Sequence, residues 1–178
     1  VVGQVWTWIY QPNWGLLNTV LEAVGLESLT RAWLGDPQTA LIAVMVAWCW
    51  QQTALALILY LAALTTVPKD LLEAAAIDGA NARQQFMRII VPLLRPASVV
   101  VITLAVINTL KGFDIVFVLT KGGPFHMSSN LAMFMYEETF FKYRMGYGAA
   151  IATALFALAI IVVIVYFRQS RASERLYG

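Results

Sequence analysis

Charge is what this sequence has least of. Of its 178 residues, 12% are charged and 60% are hydrophobic, whereas soluble domains carry about 25% charged residues. Mean hydropathy is +0.71. That balance excludes an ordinary soluble domain and points to a membrane protein. A net charge of +2 is too small to favour nucleic acid as a partner. There is one cysteine, Cys49, so no intrachain disulfide framework exists. There is one histidine, His126, which removes His pairs and zinc sites built on several histidines. It sits beside a Gly-Gly-Pro loop and is expected to have no role. No catalytic constellation and no metal site is expected. The phosphate-cradling run G-x-x-x-x-G-K is missing, so ATP, if it drives this protein, must be bound by another chain. The sequence begins at Val1, already apolar, with no basic region or cleavage signal ahead of it. It reads as a chain lacking its N-terminal part.

What is present is a series of long uncharged runs. No charge occurs from Gln38 to Val67 or from Gly146 to Phe167, and about 20 apolar residues suffice to cross a bilayer. Residues 38–67 and 146–167 are therefore predicted spans. A third is predicted over residues 96–119, restarting at Arg95-Pro96, with Asn108, Lys111 and Asp114 on one stripe at helical spacing. Residues 1–10, ending in Trp6, Trp8 and Tyr10, read as a partial span with interfacial aromatics. Residues 16–34 suggest a short interfacial helix. Thr120-Lys121-Gly122-Gly123-Pro124 is a loop. After it, Ser128 or Ser129 is expected to cap an aromatic-rich helix running to Tyr143. Arg168, Arg171, Glu174 and Arg175 form a basic tail.

Between the first two full spans lies a polar, Ala-rich stretch, residues 68–92. Pro68 suits the first turn of a helix, because its missing amide would be unpaired there. Asp70 and Glu73 sit near the positive end of the dipole. Gly79 after Asp78 is a helix stop. Asn81 can cap a second helix with Gln84 as reciprocal partner, and that helix should end before Pro92. The expected product is a small-residue elbow that another protein can approach closely.

The ordered pattern Glu73-Ala74-Ala75, Asp78-Gly79-Ala80, Ile89 and Pro92 resembles the EAA loop of the permease subunits of binding-protein-dependent ABC importers. Val91 departs from the Leu usual before that proline. The resemblance implies an all-α integral membrane fold, a helical bundle of the type I ABC importer permease kind, present here as a fragment in one transmembrane domain over residues 1–178. It implies that the elbow is cytosolic and docks on an ATP-binding subunit that holds ATP-Mg. It also implies a second permease subunit, an extracytoplasmic solute-binding protein and a multi-pass position in a bacterial or archaeal cytoplasmic membrane. Lys111-Gly112-Phe113-Asp114 with Leu119-Thr120-Lys121-Gly122-Gly123-Pro124 is similar to a segment of the carbohydrate-uptake branch.

In that branch sugar contacts come from the span before the elbow and the end of the span after it. By spacing from the two motifs the resemblance places that region at Trp50, Gln52, Lys111 and Gly112. Trp48, Gln51, Asn108 and Asp114 offer suitable groups on their chemistry, and the candidate pathway residues are Trp50, Gln52, Asn108, Lys111 and Asp114. Their chemistry agrees: aromatic faces and groups that both donate and accept hydrogen bonds suit sugars, and ionisable groups within a membrane are functional candidates. Lys111 and Asp114 pairing only with one another is the bland reading. Other solutes of the same importer type stay open, such as glycerol phosphate, polyamine or amino acid. An ion-driven secondary transporter is a further alternative, disfavoured because no carboxylate lies within residues 38–67 or 146–167.

Overall fold

Two helices dominate the computed structural model, which describes the backbone of residues 1–177 and the side chains of residues 1–168. They are α3 (Ala40–Thr65) and α9 (Met145–Tyr177). The 26 residues of α3 and the 24 of Met145–Arg168 extend about 39 and 36 Å at 1.5 Å per residue. Both exceed the roughly 30 Å of a bilayer's hydrocarbon core. The two predicted spans at 38–67 and 146–167 are these helices. The tail residues Arg171, Glu174 and Arg175 lie outside the described side chains. The shorter helices are α1 (Val2–Ile9), α2 (Leu16–Ala23), α4 (Lys69–Ile77), α5 (Ala82–Leu93), α6 (Arg95–Lys111), α7 (Phe113–Leu119) and α8 (Leu131–Tyr136).

The chain divides into two compact units. One is Val1–Gln52 with Asn108–Leu158, the other Thr53–Ile107 with Ala159–Gly178. The core of the first unit joins Tyr10, Ala43, Val44, Ala47, Ile115, Val116, Leu119 and Met133. Small residues Ala40, Ala43 and Ala47 line the buried face of α3 and let neighbouring backbone close in. Tyr10 donates its hydroxyl to the Ala43 carbonyl at 3.0 Å, which satisfies a polar group that burial would otherwise penalise. Gly3 lies against Val118, where a Cβ would sit 3.0 Å from its side chain. In the second unit, Tyr60 donates to Ser98 at 3.1 Å, and Ser98 donates to the Leu94 carbonyl at 3.0 Å.

Two sequence expectations are corrected. The span predicted over residues 96–119 is not one helix. It breaks at Gly112, whose ψ of 62° is not helical. The 17 residues of α6 reach about 26 Å, and α7 continues beyond the break. Asn108, Lys111 and Asp114 therefore do not share one continuous stripe. The helix after Asn81 does not stop before Pro92 either. It runs through to Leu93, with a π-helical turn at Phe86–Ile90. That wider turn lies just ahead of the ring, where a proline would otherwise collide with a carbonyl one turn back. The axis bends at Leu94, by 63° between Ala82–Leu93 and Arg95–Lys111.

Candidate functional site

The elbow is built almost entirely from local hydrogen bonds. Pro68 is the N-cap of α4 rather than its first helical residue. At the other end Gly79 takes φ +82°. Its N–H donates to the Ala76 carbonyl at 3.0 Å, and that of Ala80 to Ala75 at 2.9 Å. This pair of bonds is the Schellman stop, which needs a residue tolerant of the left-handed region. No atom lies within 4 Å of where a Gly79 Cβ would be, so the demand for glycine is conformational, not steric. Asn81 then opens α5 with the reciprocal cap read from the sequence. Its side chain accepts from the Gln84 N–H at 2.9 Å, and Gln84 Oε1 accepts from the Asn81 N–H at 2.8 Å.

The crest is open. Glu73, Ala74, Asp78 and Gly79 are exposed, and Ala75 and Ala80 are half-buried. Ile77 is 87% exposed. The turn between the Gly79 stop and the Asn81 cap leaves this large apolar side chain facing outward.

A cavity of about 320 Å³ lies in the first unit. Its walls include Leu41, Val44, Trp48 and Cys49 from α3, Thr109 and Gly112 at the break, Ile115 and Val116 from α7, and Ser128, Ser129 and Asn130. None of these side chains is charged. Trp48 Nε1 donates to the Thr109 hydroxyl at 3.3 Å. Its ring lies so close to Gly112 that a Cβ there would sit 2.8 Å from Trp48 Cη2. The glycine thus both breaks the span and admits the indole.

None of the predicted pathway residues is in this cavity's wall. Trp50 is 59% exposed and meets Trp6 edge-on, ring centroids 6.0 Å apart. Gln52 and Asn108 are half-buried, and Lys111 and Asp114 are exposed. Trp48, Thr109, Ser128, Ser129 and Asn130 take the wall positions. The pairing of a bulky indole with a glycine 64 positions later is not a pattern that sequence periodicity exposes.

Residues 120–144 carry a further set of polar contacts. Asn130, not Ser128 or Ser129, caps α8, accepting from the Met133 N–H at 2.9 Å. Ser128 is buried and otherwise engaged, donating to the Gly123 carbonyl at 2.6 Å with the Thr120 hydroxyl 2.7 Å away. After α8 the coil widens into a π-helical turn, Glu137–Phe141. Buried Glu138 meets Lys142 at 2.8 Å and Arg144 at 3.0 Å. Its hydrogen bond from Lys142 holds its carboxyl below the usual carboxylate range, and Glu138 in turn raises Lys142. His126, expected to lack a role, places Nδ1 3.4 Å from Glu137. Among the described residues no group of three or more His, Cys, Asp or Glu could hold a metal ion.

Comparison with known proteins covers nearly the whole chain. The family described as "Binding-protein-dependent transport system inner membrane component" matches residues 3–174. A sulfoquinovosyl glycerol transport system permease of Agrobacterium fabrum is 34% identical over 172 residues, 97% of this chain and 55% of its own length. A trehalose/maltose transport system permease of Thermococcus litoralis is 35% identical over 174 residues, 96% of this chain and 57% of its own. The chain thus spans little more than half the length of these relatives. Among solved structures, a bacterial ABC transporter involved in importing the acidic polysaccharide alginate superposes with a TM-score of 0.77 at 23% identity. The match covers 99% of this chain and 60% of that one; at that identity it establishes the fold.

Proposed function

The chain belongs to the binding-protein-dependent transport system inner membrane component family, the transmembrane permeases of ABC importers, and from that premise we propose that it forms part of the translocation pathway of an ATP-driven carbohydrate importer. It is a multi-pass membrane protein and not itself an enzyme. Its elbow, residues 68–92, docks on an ATP-binding subunit through Glu73, Ala74, Ala75, Asp78, Gly79 and Ala80. ATP-Mg is held and hydrolysed there. A second permease subunit completes the pathway, and an extracytoplasmic solute-binding protein delivers the solute. The setting is the cytoplasmic membrane of a bacterium or archaeon. Transport is then a rigid-body switch between two packings, with no chemistry done on the solute.

The observation that carries this reading is the exposed, internally capped crest from Glu73 to Ala80. Carbohydrate as the solute is supported by the two relatives' named solutes and by the cavity wall, which offers an indole face, hydroxyls and an amide but no charge. Trp48, Thr109 and Asn130 are the pathway residues in this proposal. Trp50, Asn108, Lys111 and Asp114, each a chain neighbour of a wall residue, and Gln52 form a second tier.

The elbow is tested with Gly79→Asp and Glu73→Lys in the intact importer. Both variants should reach the membrane at wild-type level. Uptake should fall by about tenfold or more, and ATP hydrolysis should stop responding to loaded binding protein, because a docking contact is lost. Wild-type uptake by Gly79→Asp would remove the elbow from the coupling path.

A further inference from the structure

Two parts of the first unit that are distant in sequence meet at one side chain. Asn130 accepts the Met133 N–H at 2.9 Å and so starts α8. The same side chain's Nδ2 donates to the Gly112 carbonyl at 2.7 Å. Gly112 is where α6 ends, with its own N–H turned back to the Thr109 carbonyl at 3.3 Å. Gly112 lies past the last residue of α6 and is the N-cap of α7, and a buried carbonyl there gains from a side-chain donor. Asn130 provides that donor. The Trp48 indole also meets Gly112, so near that a Cβ there would sit 2.8 Å from its Cη2. The chain of contact therefore runs from the 120–130 loop through Asn130 to Gly112 and on to the ring that forms one cavity wall.

We propose that Asn130 is a positioning residue for the cavity wall: it ties the 120–130 loop to the break at Gly112, so that the loop's position sets that of Trp48. The inference rests on reading the cavity as part of the solute pathway. Capping α8 needs only an acceptor, which Asp or Ser supplies as well as Asn. The bond to Gly112 needs a donor on a side chain of this reach. Ionised Asp has only acceptors, and the Ser hydroxyl stands on a shorter stem. The two duties of Asn130 can therefore be separated by substitution. The loop itself is held by Ser128, through its bonds to Thr120 and Gly123, so Asn130 links one fixed body to another.

Cys49, the chain's one cysteine, also lines the cavity beside Trp48 and serves as the probe. The test uses the full-length permease in its assembled importer, with partner cysteines replaced, reconstituted in liposomes. The measured quantity is the rate at which a small neutral methanethiosulfonate reagent modifies Cys49 in the absence of solute. Asn130→Ser and Asn130→Asp should keep α8 capped and helical, with the thermal midpoint lowered by the loss of the Gly112 bond. Both should change the Cys49 rate by about threefold or more, the lower end of coupling between residues in contact. In a Gly112→Ala background, where the indole is already displaced, the same substitutions should add nothing. Rates equal to wild type, or effects that add to those of Gly112→Ala, would overturn the strut. The pathway reading fails separately. If uptake continues undiminished after Cys49 is fully alkylated with N-ethylmaleimide, the cavity is not the route, while the strut stands or falls on the rates alone.

Discussion

At the scale of single residues, Glu138 shows how a nearly uncharged chain handles a buried charge. It is 2% exposed and held by two cations, Lys142 and Arg144. Its carboxyl titrates below the ordinary value of 4.5. Stability from a depressed carboxyl is complete above its unfolded pKa and is lost as pH falls through the folded one. Lys142, raised, contributes below its unfolded pKa, and that part is lost only as pH rises through the raised value. The thermal midpoint of the purified protein should therefore be flat from about pH 6 to pH 9 and fall below about pH 4. Glu138→Gln should lower the plateau and flatten the acid limb. An unchanged acid limb in that variant would mean that the pair does not hold the segment. Sequence reading found Gly79 because the demand on it is local: a helix end wants a left-handed residue, and Asp-Gly announces one. It missed Asn130, because Ser128 and Ser129 are equally good caps in the abstract. Only the fold shows that the Ser128 hydroxyl is already committed to Thr120 and Gly123.

Helix boundaries were legible where local chemistry decides them and not where a neighbour does. The capping box at Asn81 and Gln84 formed as the sequence implied. Asn81→Ala should cost the elbow about 1 kcal/mol. Amide exchange at residues 82–85 should then be about fivefold faster, whereas Asn81→Asp, also a good cap, should leave it unchanged. Equal exchange in the alanine variant would mean that the α5 start is held by something other than its cap. Pro92 misled because the rule for the residue before proline assumes a regular α-helix, and the π-helical turn at Phe86–Ile90 removes that assumption. Gly112 misled for the opposite reason. One glycine inside an apolar run is tolerated in many helices, and what makes this one a break is the Trp48 ring and the Asn130 amide, both far away in sequence.

For the whole molecule, membrane insertion was the most readable property, because a run without charge needs no tertiary knowledge to interpret. Only 17% of the α3 apolar window and 6% of the α9 window are buried by the chain itself. The remaining surface is mostly apolar, with Gln51, Gln52 and Thr53 among the polar exceptions on α3. Sidedness follows from the proposed function and is directly measurable. With Cys49 replaced by Ser, Ala76→Cys in the elbow should react with an impermeant maleimide only in inside-out vesicles. Phe125→Cys in the 120–130 loop should react only in right-side-out ones. Labelling of both from the same side would reverse the topology and with it the importer reading.

The elbow has a consequence beyond its own geometry. The hydrogen bonds of its two caps, at Gly79 and at Asn81, each close within five positions of chain. Such a plug is portable. On the proposed function, permeases could exchange cargo by altering the spans while keeping one connector, and one ATP-binding subunit could then serve several of them.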